Sequence, residues 1–340
     1  MHPIYEKPRI YDCIVGWAAG DALGSWVEFL SLTEIRDEYG PDGVTEYRLV
    51  DGIAEITDDT QMTLFTLAGI LLWERERSVN PGARLETALY DAYQDWYATQ
   101  EPDDSRWKMK YQPRTKLYQN WDLHRREAPG CTCLSALQSE KMGTLAWPIN
   151  DSKGNGGVMR VAPIGFWFSR QEQSVEETMV MGAVSAAITH GHPLGYISSA
   201  LMAGLVNECI YGDSATLKEA VLRSKMRTEQ IFAGTRYLEE LLTLVDRAIQ
   251  LSETREEPVS AMSKLSKSWL AESAVAIAIY CALKNVNDFG HGIITAVNFS
   301  GDSDTVAAIT GNILGAWVGI EKIDEKWITP LKIDRFLMSL

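Results

Sequence analysis

Two runs of oxygen-bearing residues, far apart in the sequence, have the composition of a site for hard metal cations. They are Thr57-Asp58-Asp59-Thr60 and Ser300-Gly301-Asp302-Ser303-Asp304-Thr305. Each run precedes an apolar stretch, so each also fits a helix N-cap, where Thr, Ser and Asp accept bonds from free N–H groups. A cap needs only one or two such residues, and adjacent carboxylates repel one another unless a proton or a cation compensates. If the two helix starts face each other, four carboxylates converge into an all-oxygen shell that suits Mg²⁺ or Mn²⁺. Two such ions about 3.5–4 Å apart are typical of hydrolytic sites.

Two further acidic residues lie in an apolar stretch near the N-terminus. Asp21 belongs to the run Gly20-Asp21-Ala22-Leu23-Gly24, and Glu28 follows shortly after it. At this spacing the two carboxylates share one face of a helix, provided that the helix continues as far as Glu28. Asp21 is interpreted either as a buried hydrogen-bond acceptor that stabilises the fold or as a site residue. Glu28 is either an ordinary surface residue or part of the same site.

A glycine-rich segment and two histidines offer contacts for an anion. The segment is Gly154-Asn155-Gly156-Gly157-Val158-Met159-Arg160. Its backbone N–H groups suit an anion, although it has neither a GxGxxG nor a Walker pattern and a plain turn is the alternative. Arg160 fits either a phosphate or a buried carboxylate, and we favour the carboxylate. His190 and His192 lack further zinc ligands, so we expect one of them to hydrogen-bond a ligand phosphate or ribose.

The composition limits the compartment and the partners of the protein. The chain has 340 residues, with 32 Lys and Arg against 46 Asp and Glu, and a net charge of −14. Such an acidic chain is a poor general binder of nucleic acid or anionic membrane. Five scattered cysteines indicate reduced thiols, and the N-terminus lacks the order of a signal peptide. No apolar run reaches the roughly 20 residues of a membrane span. We therefore expect a soluble, cytoplasmic protein with no nucleic-acid or membrane partner.

Helical periodicity dominates the sequence, and helices must position the residues above. We predict helices over 10–26, 60–73, 83–97, 176–189, 193–211, 215–223, 228–251, 268–283 and 305–318. Gly16, Gly20 and Gly24 share one helix face, where another helix or a ligand approaches closely. Residues 45–50 are a candidate strand. No βαβ pattern or low-complexity linker is present, so we expect one all-α domain over 1–340. The stretch at about 101–129, rich in aromatic and basic residues, is predicted to be a long loop that covers the site or contacts a partner.

Taken in order, five motifs resemble the ADP-ribosylglycohydrolase family, which includes dinitrogenase reductase-activating glycohydrolase and the ADP-ribosyl-acceptor hydrolases. The motifs are GDALG followed by Glu28, TDDT, GNGGVMRVAPIG, THGHP and SGDSDTVAAITGNILGA. They extend from Gly20 to Ala316, and the five in this order are far more specific than any one alone. The resemblance implies a single compact all-α domain with a central helical bundle and a binuclear Mg²⁺ or Mn²⁺ site. It also implies an enzyme that removes ADP-ribose from arginine, serine or related acceptors.

The resemblance further implies a role for each matching residue. The metal ligands that it implies are Thr57, Asp58, Asp59, Asp302, Asp304 and Thr305. The substrate contacts that it implies are Asn155, Gly156, Gly157, Val158 and His190. Glu28 matches an acidic residue beside the metals that is catalytic in some members. Asp151 is the nearest match to an aspartate that assists the sugar-ring chemistry in others. The second acidic run reads Ser-Gly-Asp-Ser-Asp-Thr where Gly-Gly-Asp-Thr-Asp-Thr is commoner, but the ligand positions are kept.

These residues suit the hydrolysis of a glycosidic bond. Breaking the ribose C1″–N or C1″–O bond builds positive character on the sugar, while cations orient hydroxyls and water and a carboxylate accepts the proton of the water. We predict a metal-dependent hydrolase that removes ADP-ribose from modified proteins, with arginine-linked substrate favoured. The alternatives are a non-catalytic binder, an immunity protein that neutralises an ADP-ribosylating toxin by hydrolysis or occlusion, and a hydrolase of free ADP-ribose or O-acetyl-ADP-ribose. The expected partner is an ADP-ribosylated protein or such a toxin, and we expect a monomer.

Overall fold

Helices form most of the protein in the computed structural model, which describes residues 9–101 and 111–340. The helices are α1 (Ile10–Gly24), α2 (Leu32–Tyr39), α3 (Asp58–Arg77), α4 (Leu85–Gln100), α5 (Cys131–Gln138), α6 (Ala162–Trp167), α7 (Val175–Ala187), α8 (Pro193–Tyr211), α9 (Leu217–Ile231), α10 (Leu238–Ser252), α11 (Pro258–Ser263), α12 (Ala271–Lys284), α13 (Phe289–Val297), α14 (Ser303–Val318) and α15 (Asp334–Leu337). The prediction of an all-α fold is therefore confirmed for the part of the chain that is described.

A small hairpin replaces the predicted strand at 45–50. The strand β1 (Leu49–Val50) pairs with β2 (Ile53–Ala54) in antiparallel register, with Leu49 opposite Ala54. Asp51 and Gly52 both have positive φ, which is the geometry that a two-residue hairpin turn requires. The strand is shorter than predicted because the alternation of apolar residues in this stretch is weak.

The helices α1 and α14 form the most extensive helix pair of the fold. A Cβ atom at Gly16 would lie 2.2 Å from the carbonyl oxygen of Gly311, and one at Gly20 would lie 1.9 Å from that of Ala307. The predicted glycine face of α1 therefore packs against another helix and not against a ligand. At its end, a Cβ at Gly24 would lie 2.4 Å from the Cα of Asp304. The glycines thus let α1 approach the start of α14, where the second acidic run lies.

The helices α7 and α8 occupy the predicted positions, with a break at 188–192. Ser174 and Glu177 form a capping box at the start of α7. His192 is the N-cap of α8, and its side chain accepts a hydrogen bond from the N–H of Leu194. Pro193 follows as the first helical residue, where its missing N–H costs nothing.

The prediction of one helix over 228–251 is wrong. The helix α9 begins at Leu217 and ends at Ile231, and α10 begins only at Leu238. Between them, Gly234 has a φ of +79° and Tyr237 a φ of 70°. Backbone in this left-handed region cannot continue an α-helix. The polar character of the whole stretch hid this break, since both helices are amphipathic and lie on the outside.

The predicted long loop falls partly outside the described residues, which omit 102–110. Its described part contains two short 3-10 turns, Leu117–Gln119 and Trp121–Leu123. Buried Asp95 of α4 accepts hydrogen bonds from the N–H of Arg114 and from the N–H and hydroxyl of Thr115, and the Tyr111 hydroxyl also donates to it. This part of the loop is therefore tied to the core at Asp95.

A buried carboxylate joins α8 and α9 to the segment after α6. The Glu208 side chain is fully buried and accepts hydrogen bonds from Arg170, Arg223, Arg227 and Ser214. These hydrogen bonds hold the pKa of Glu208 at about 2, although burial opposes them.

Among the described helices, none combines the length and the apolarity that a membrane crossing requires.

Candidate active site

The two acidic runs lie at the starts of α3 and α14, and these two helix starts meet. The Thr305 hydroxyl donates a hydrogen bond to Asp59 Oδ2 at 3.0 Å. On the other side, Thr57 Oγ1 lies 3.3 Å from Asp304 Oδ2. Both contacts join residues that are 246 or 247 positions apart in the sequence, so the convergence of the two runs is a consequence of long-range packing.

Asp21 stabilises this convergence as a hydrogen-bond acceptor. It is fully buried in α1 and accepts from the N–H of Thr57 at 3.0 Å and from the Thr57 hydroxyl at 2.8 Å. It also accepts from the N–H and the hydroxyl of Thr60. Burial raises the pKa of Asp21 to about 6 in spite of these four bonds. The carboxylate therefore caps α3 from outside, which agrees with the structural interpretation of Asp21.

Glu28, which follows α1, joins the second acidic run. Carboxylate oxygens of Glu28, Asp302 and Asp304 lie within 4.8 Å of one another. Asp302 is held from two sides, because its Oδ2 accepts from the Asn155 amide at 2.7 Å and its N–H donates to Ser268 Oγ. Glu28 is only 8% exposed, so it is not an ordinary surface residue.

Several oxygens of this cluster have no hydrogen-bond donor. Glu28 Oε2, Asp59 Oδ1 and Asp302 Oδ1 are buried and without a partner among the described residues. Burial and the neighbouring carboxylates raise the pKa of Glu28 to about 9 and that of Asp58 to about 8, and hold those of Asp59 and Asp304 well above the ordinary range. A buried acceptor without a donor is costly. The converging atoms are carboxylate oxygens, so the residues fit hard divalent cations such as Mg²⁺ or Mn²⁺.

A cavity of about 290 Å³ opens beside these carboxylates. Of the predicted site residues, the following line it: Glu28, Asp58, Asp59, Asn155, Gly156, His190, Asp302 and Thr305. No Lys or Arg is among the described residues that line this cavity. Thr57 and Asp304 are buried directly behind this wall, where they contact Asp21 and the other run.

Besides Thr57 and Asp304, three predicted site residues do not line the cavity. Gly157 faces α7, because a Cβ there would lie 2.9 Å from the Ala186 side chain. Val158 is fully buried in the core, and Asp151 is exposed. None of the three lines the cavity. A Cβ at Gly156 would lie 2.8 Å from Cys133 Sγ and 3.0 Å from the His190 ring, so the packing of the protein itself already excludes a side chain there.

His190 presents a neutral ring to the cavity. Its Nδ1 shares a hydrogen bond with the Thr189 hydroxyl at 2.9 Å. Burial, together with the charge of Arg160, lowers the pKa of His190 to about 3. The Nε2 edge lies against the glycine-rich segment, 3.5 Å from the position of a Cβ at Gly154. A neutral imidazole there can donate or accept a hydrogen bond without a change of charge.

The expected pairing of Arg160 with a carboxylate is wrong within the described part of the chain. Arg160 is fully buried, and its guanidinium lies over the Tyr93 ring at 4.2 Å. It donates to Thr189 Oγ1 at 2.6 Å and to the carbonyl oxygen of Ser185. Its charge therefore supports the neutral state of His190 from behind the cavity wall.

Two lining features were missed in the sequence. The first is the start of α5, where the N-cap Gly130 provides no side chain and the first-turn residues Cys131 to Cys133 line the cavity. Asp58 Oδ2 accepts a hydrogen bond from the N–H of Gly130 at 2.9 Å. The second is the pair of Phe29 and Trp269, whose rings stack at 5.7 Å with an interplanar angle of 16°. An eight-residue helix and a contact between distant aromatic residues leave no periodic signal.

Comparisons with known proteins agree on one family. The sequence model of the ADP-ribosylglycohydrolase family matches residues 1–340. Human ADP-ribosylhydrolase ARH3 is 31% identical over 199 residues, which are 52% of this chain and 53% of ARH3. The ADP-ribosylarginine hydrolase Tri1 of Serratia proteamaculans is 25% identical over 324 residues, which are 94% of this chain and 74% of Tri1. A solved ADP-ribosylglycohydrolase-related protein complex has the same fold, with a TM-score of 0.62, 24% identity and coverage of 98% of this chain and 95% of the other.

Proposed function

Because the chain belongs to the ADP-ribosylglycohydrolase family, we propose that it removes ADP-ribose from modified protein side chains in a reaction that depends on divalent cations. The observation that carries this proposal is the set of buried carboxylate oxygens without donors beside the cavity. We favour arginine as the modified residue, since the relative Tri1, which spans most of this chain, is an ADP-ribosylarginine hydrolase.

The residues that would hold the cations are those of the two acidic runs. They are Thr57, Asp58, Asp59, Asp302, Asp304 and Thr305. Thr57 Oγ1 already contacts Asp21 and Asp304 and accepts from the N–H of Asp59, whereas the Thr305 hydroxyl donates to Asp59 and keeps its oxygen lone pairs for a cation. When bound, Mg²⁺ or Mn²⁺, two ions in our proposal, would orient ribose hydroxyls and water and offset the repulsion among the carboxylates.

The ADP half of the substrate fits the wall formed by the start of α5 and the glycine-rich segment, which meets the carboxylates at Asp58 and Asp302. The uncapped N–H groups at the start of α5 suit a diphosphate, whereas the N–H groups of Gly154 and Asn155 already donate to Ser152 Oγ and to the carbonyl oxygen of Trp269. The neutral His190 ring adds a hydrogen bond there. This arrangement explains how a chain with a net charge of −14 binds an anionic ligand, because local N–H groups and cations supply the attraction.

Glu28 is proposed as the general base. Hydrolysis breaks the C1″–N bond, forms a bond from the water oxygen to C1″ and places a proton on the departing nitrogen. Burial and the neighbouring carboxylates favour the protonated form of Glu28, and bound cations would restore its carboxylate. Glu28 has one oxygen without a donor and lies at the cavity surface, so in the cation-loaded protein it can accept the proton that the water loses. Asp151 is exposed and does not line the cavity, so we assign it no part in this step.

Product analysis tests the proposed function. The protein is incubated with arginine-, serine- and Asp/Glu-linked ADP-ribosylated substrates, in Mg²⁺ or Mn²⁺ and in a chelator, and the products are separated by chromatography. We expect release of free ADP-ribose from the arginine-linked substrate with cations and none with the chelator. Release of ADP-ribose from another linkage would show that the modified residue is not arginine. Full activity in the chelator would overturn the metal dependence.

The same assay separates the remaining alternatives. Cleavage of O-acetyl-ADP-ribose alone would make the protein a hydrolase of free derivatives. Tight binding of ADP-ribose without any turnover would indicate a non-catalytic binder. Protection against an ADP-ribosylating toxin stays a prediction. In the described part of the loop, the exposed ring of Trp121 and the exposed side chains of Arg125 and Arg126 are available for such a contact.

A further inference from the structure

A second recess lies beyond Glu28, on the far side of the aromatic pair. It measures about 660 Å³ and shares Glu28, Phe29 and Trp269 with the active-site cavity. The stacked rings of Phe29 and Trp269, which are 72% and 41% exposed, therefore separate the two recesses. We call this second space the middle recess. Glu28 is the point at which it meets the carboxylate cluster.

The middle recess continues into a third, acidic recess. Ser266, whose φ is 77°, lines both of them. The acidic recess measures about 450 Å³ and is lined by Glu239, Glu240 and Glu272, with Lys153 as the one basic residue of its lining. The two recesses therefore adjoin at Ser266, with Glu28 on the far side of one and Glu239 on the far side of the other.

The charge of the acidic recess is only partly balanced. Lys153 Nζ lies 2.7 Å from Glu272 Oε1 and 3.6 Å from Glu240 Oε1. Glu272 is 2% exposed, yet its Oε2 has no hydrogen-bond partner among the described residues, and neither has the buried hydroxyl of Ser273 beside it. Glu239 is exposed and lies at the start of α10. Three carboxylates thus face one ammonium, which leaves acceptors for a second cationic group.

We propose that these two recesses bind the polypeptide around the ADP-ribosylated side chain, and that the acidic recess takes a lysine or arginine of that polypeptide. This inference rests on the proposed function. If the ADP half lies against α5 and the glycine-rich segment, the acceptor must leave the reacting carbon on the other side of the carboxylates. That side is the middle recess, which begins at Glu28.

The lining charges also define where a basic residue fits. Lys267 lines the middle recess, so a lysine or arginine of the substrate is disfavoured there. In the acidic recess, the carboxylates attract a basic residue of the substrate, and Lys153 is already engaged with two of them. The preference is therefore for a basic residue at a distance from the modified side chain and not directly beside it.

Kinetics with charged peptides test this inference. Three substrates with the linkage that the enzyme cleaves are compared: an ADP-ribosyl amino acid, and two ADP-ribosylated peptides that carry lysines or glutamates in the flanking positions. We expect the kcat/KM of the lysine peptide to exceed that of the glutamate peptide by about fivefold at low ionic strength. The difference should shrink as salt is added, because exposed charges are screened.

A charge reversal locates the effect. In Glu239→Lys the preference between the two peptides should disappear, while kcat/KM for the ADP-ribosyl amino acid stays within twofold of the wild type. Glu229→Lys is the matched control, since Glu229 is an exposed glutamate of α9 that lines none of the three recesses. It should keep the preference.

The outcomes distinguish a failure of the polypeptide-binding proposal from a failure of the proposed function. Equal kcat/KM for the two peptides in the wild type, or an unchanged preference in Glu239→Lys, would show that the two recesses do not bind the polypeptide. The proposed function would then remain in place. Failure to cleave any of the three substrates, with cations present, would overturn the proposed function and, with it, the binding of the polypeptide in the two recesses.

Discussion

At the scale of single residues, the buried carboxylates are the part of the molecule most sensitive to a bound cation. Glu28, Asp59 and Asp302 each have an oxygen without a donor. Such groups destabilise the fold until a proton or a cation compensates them. A cation that binds here should therefore also stabilise the folded state.

Addition of Mg²⁺ or Mn²⁺ should raise the melting temperature of the wild type. At a cation concentration of 100 times its Kd, the gain is about 2.7 kcal/mol. Asp302→Asn keeps an acceptor for the Asn155 amide but removes a charge, so it should fold without cation and lose most of the cation-dependent rise. Differential scanning fluorimetry, with and without chelator, measures both effects. A rise in the melting temperature of Asp302→Asn equal to that of the wild type would show that the cation binds elsewhere.

Glu28→Gln tests the proposed base. The amide keeps the size of the side chain and loses its ability to accept a proton, so turnover should fall at least ~100-fold, in line with the loss of a general base. Binding of ADP-ribose, measured by calorimetry, should be retained. If the cation-dependent stabilisation is lost together with activity, Glu28 is a ligand and not the base. A turnover in Glu28→Gln equal to that of the wild type would show that Glu28 is not the general base.

At the scale of helices, the contact between α1 and α14 controls the site. Gly20→Ala places a Cβ within 1.9 Å of the Ala307 carbonyl oxygen, so the helices must separate. Overpacking of this kind costs about 1–3 kcal/mol. Because α14 begins with the acidic run, the cation affinity should fall as well. Urea unfolding measures the first effect and calorimetry the second.

Gly82→Ala is the control for this substitution. Gly82 has an ordinary φ, and a Cβ there would meet only the Asn80 side chain, at 3.4 Å. Its unfolding midpoint and its cation affinity should equal those of the wild type. Equal stability of Gly20→Ala and Gly82→Ala would show that the close approach of α1 and α14 is not required.

The long apolar helices could be predicted from the sequence, and the short ones could not. Helices α3, α8, α12 and α14 lie within a few residues of their predicted ranges, because their apolar residues form long runs. Helices α2, α5, α6, α11 and α13 have six to nine residues, which is too short for a clear period. One of these, α5, lines the cavity with its first turn, so this part of the cavity wall was not predicted.

The acidic runs could be predicted for a different reason. Helix starts favour Thr, Ser and Asp, and both runs contain more of them than a cap needs. Their convergence needed the family resemblance or the structure, since no local signal states which helix starts meet. The stacking of Phe29 on Trp269 and the isolation of Arg160 from carboxylates are likewise consequences of long-range packing.

At the scale of the whole molecule, Glu208 makes stability depend on acidity. Its folded pKa of about 2 lies below its ordinary value of 4.5. The stability that it contributes is therefore present above about pH 4.5 and is lost as the pH falls from there toward 2. Burial opposes this contribution, which comes from the hydrogen bond of Ser214 and from Arg227 and Arg170.

Glu208→Gln should unfold more easily than the wild type at pH 7. The amide loses the negative charge and one of the two acceptor oxygens that three guanidinium groups share, which costs about 3 kcal/mol. The difference in urea midpoint between the two proteins should narrow between pH 4.5 and pH 3, as Glu208 of the wild type becomes protonated in the unfolded state. A difference that is constant from pH 7 to pH 3 would contradict the assignment.

The pairing of α1 with α14 also has a consequence for the time at which the protein can fold during its synthesis. The main partner of Ile10–Gly24 is Ser303–Val318, near the other end of the sequence. At the usual rate of translation, roughly 15–60 s pass between the synthesis of the two segments. During that interval an apolar helix with an open glycine face has left the ribosome without its partner. The proposed cation site therefore cannot form before Ser303–Val318 has been synthesised, and until then the apolar surface of α1 is open to chaperones.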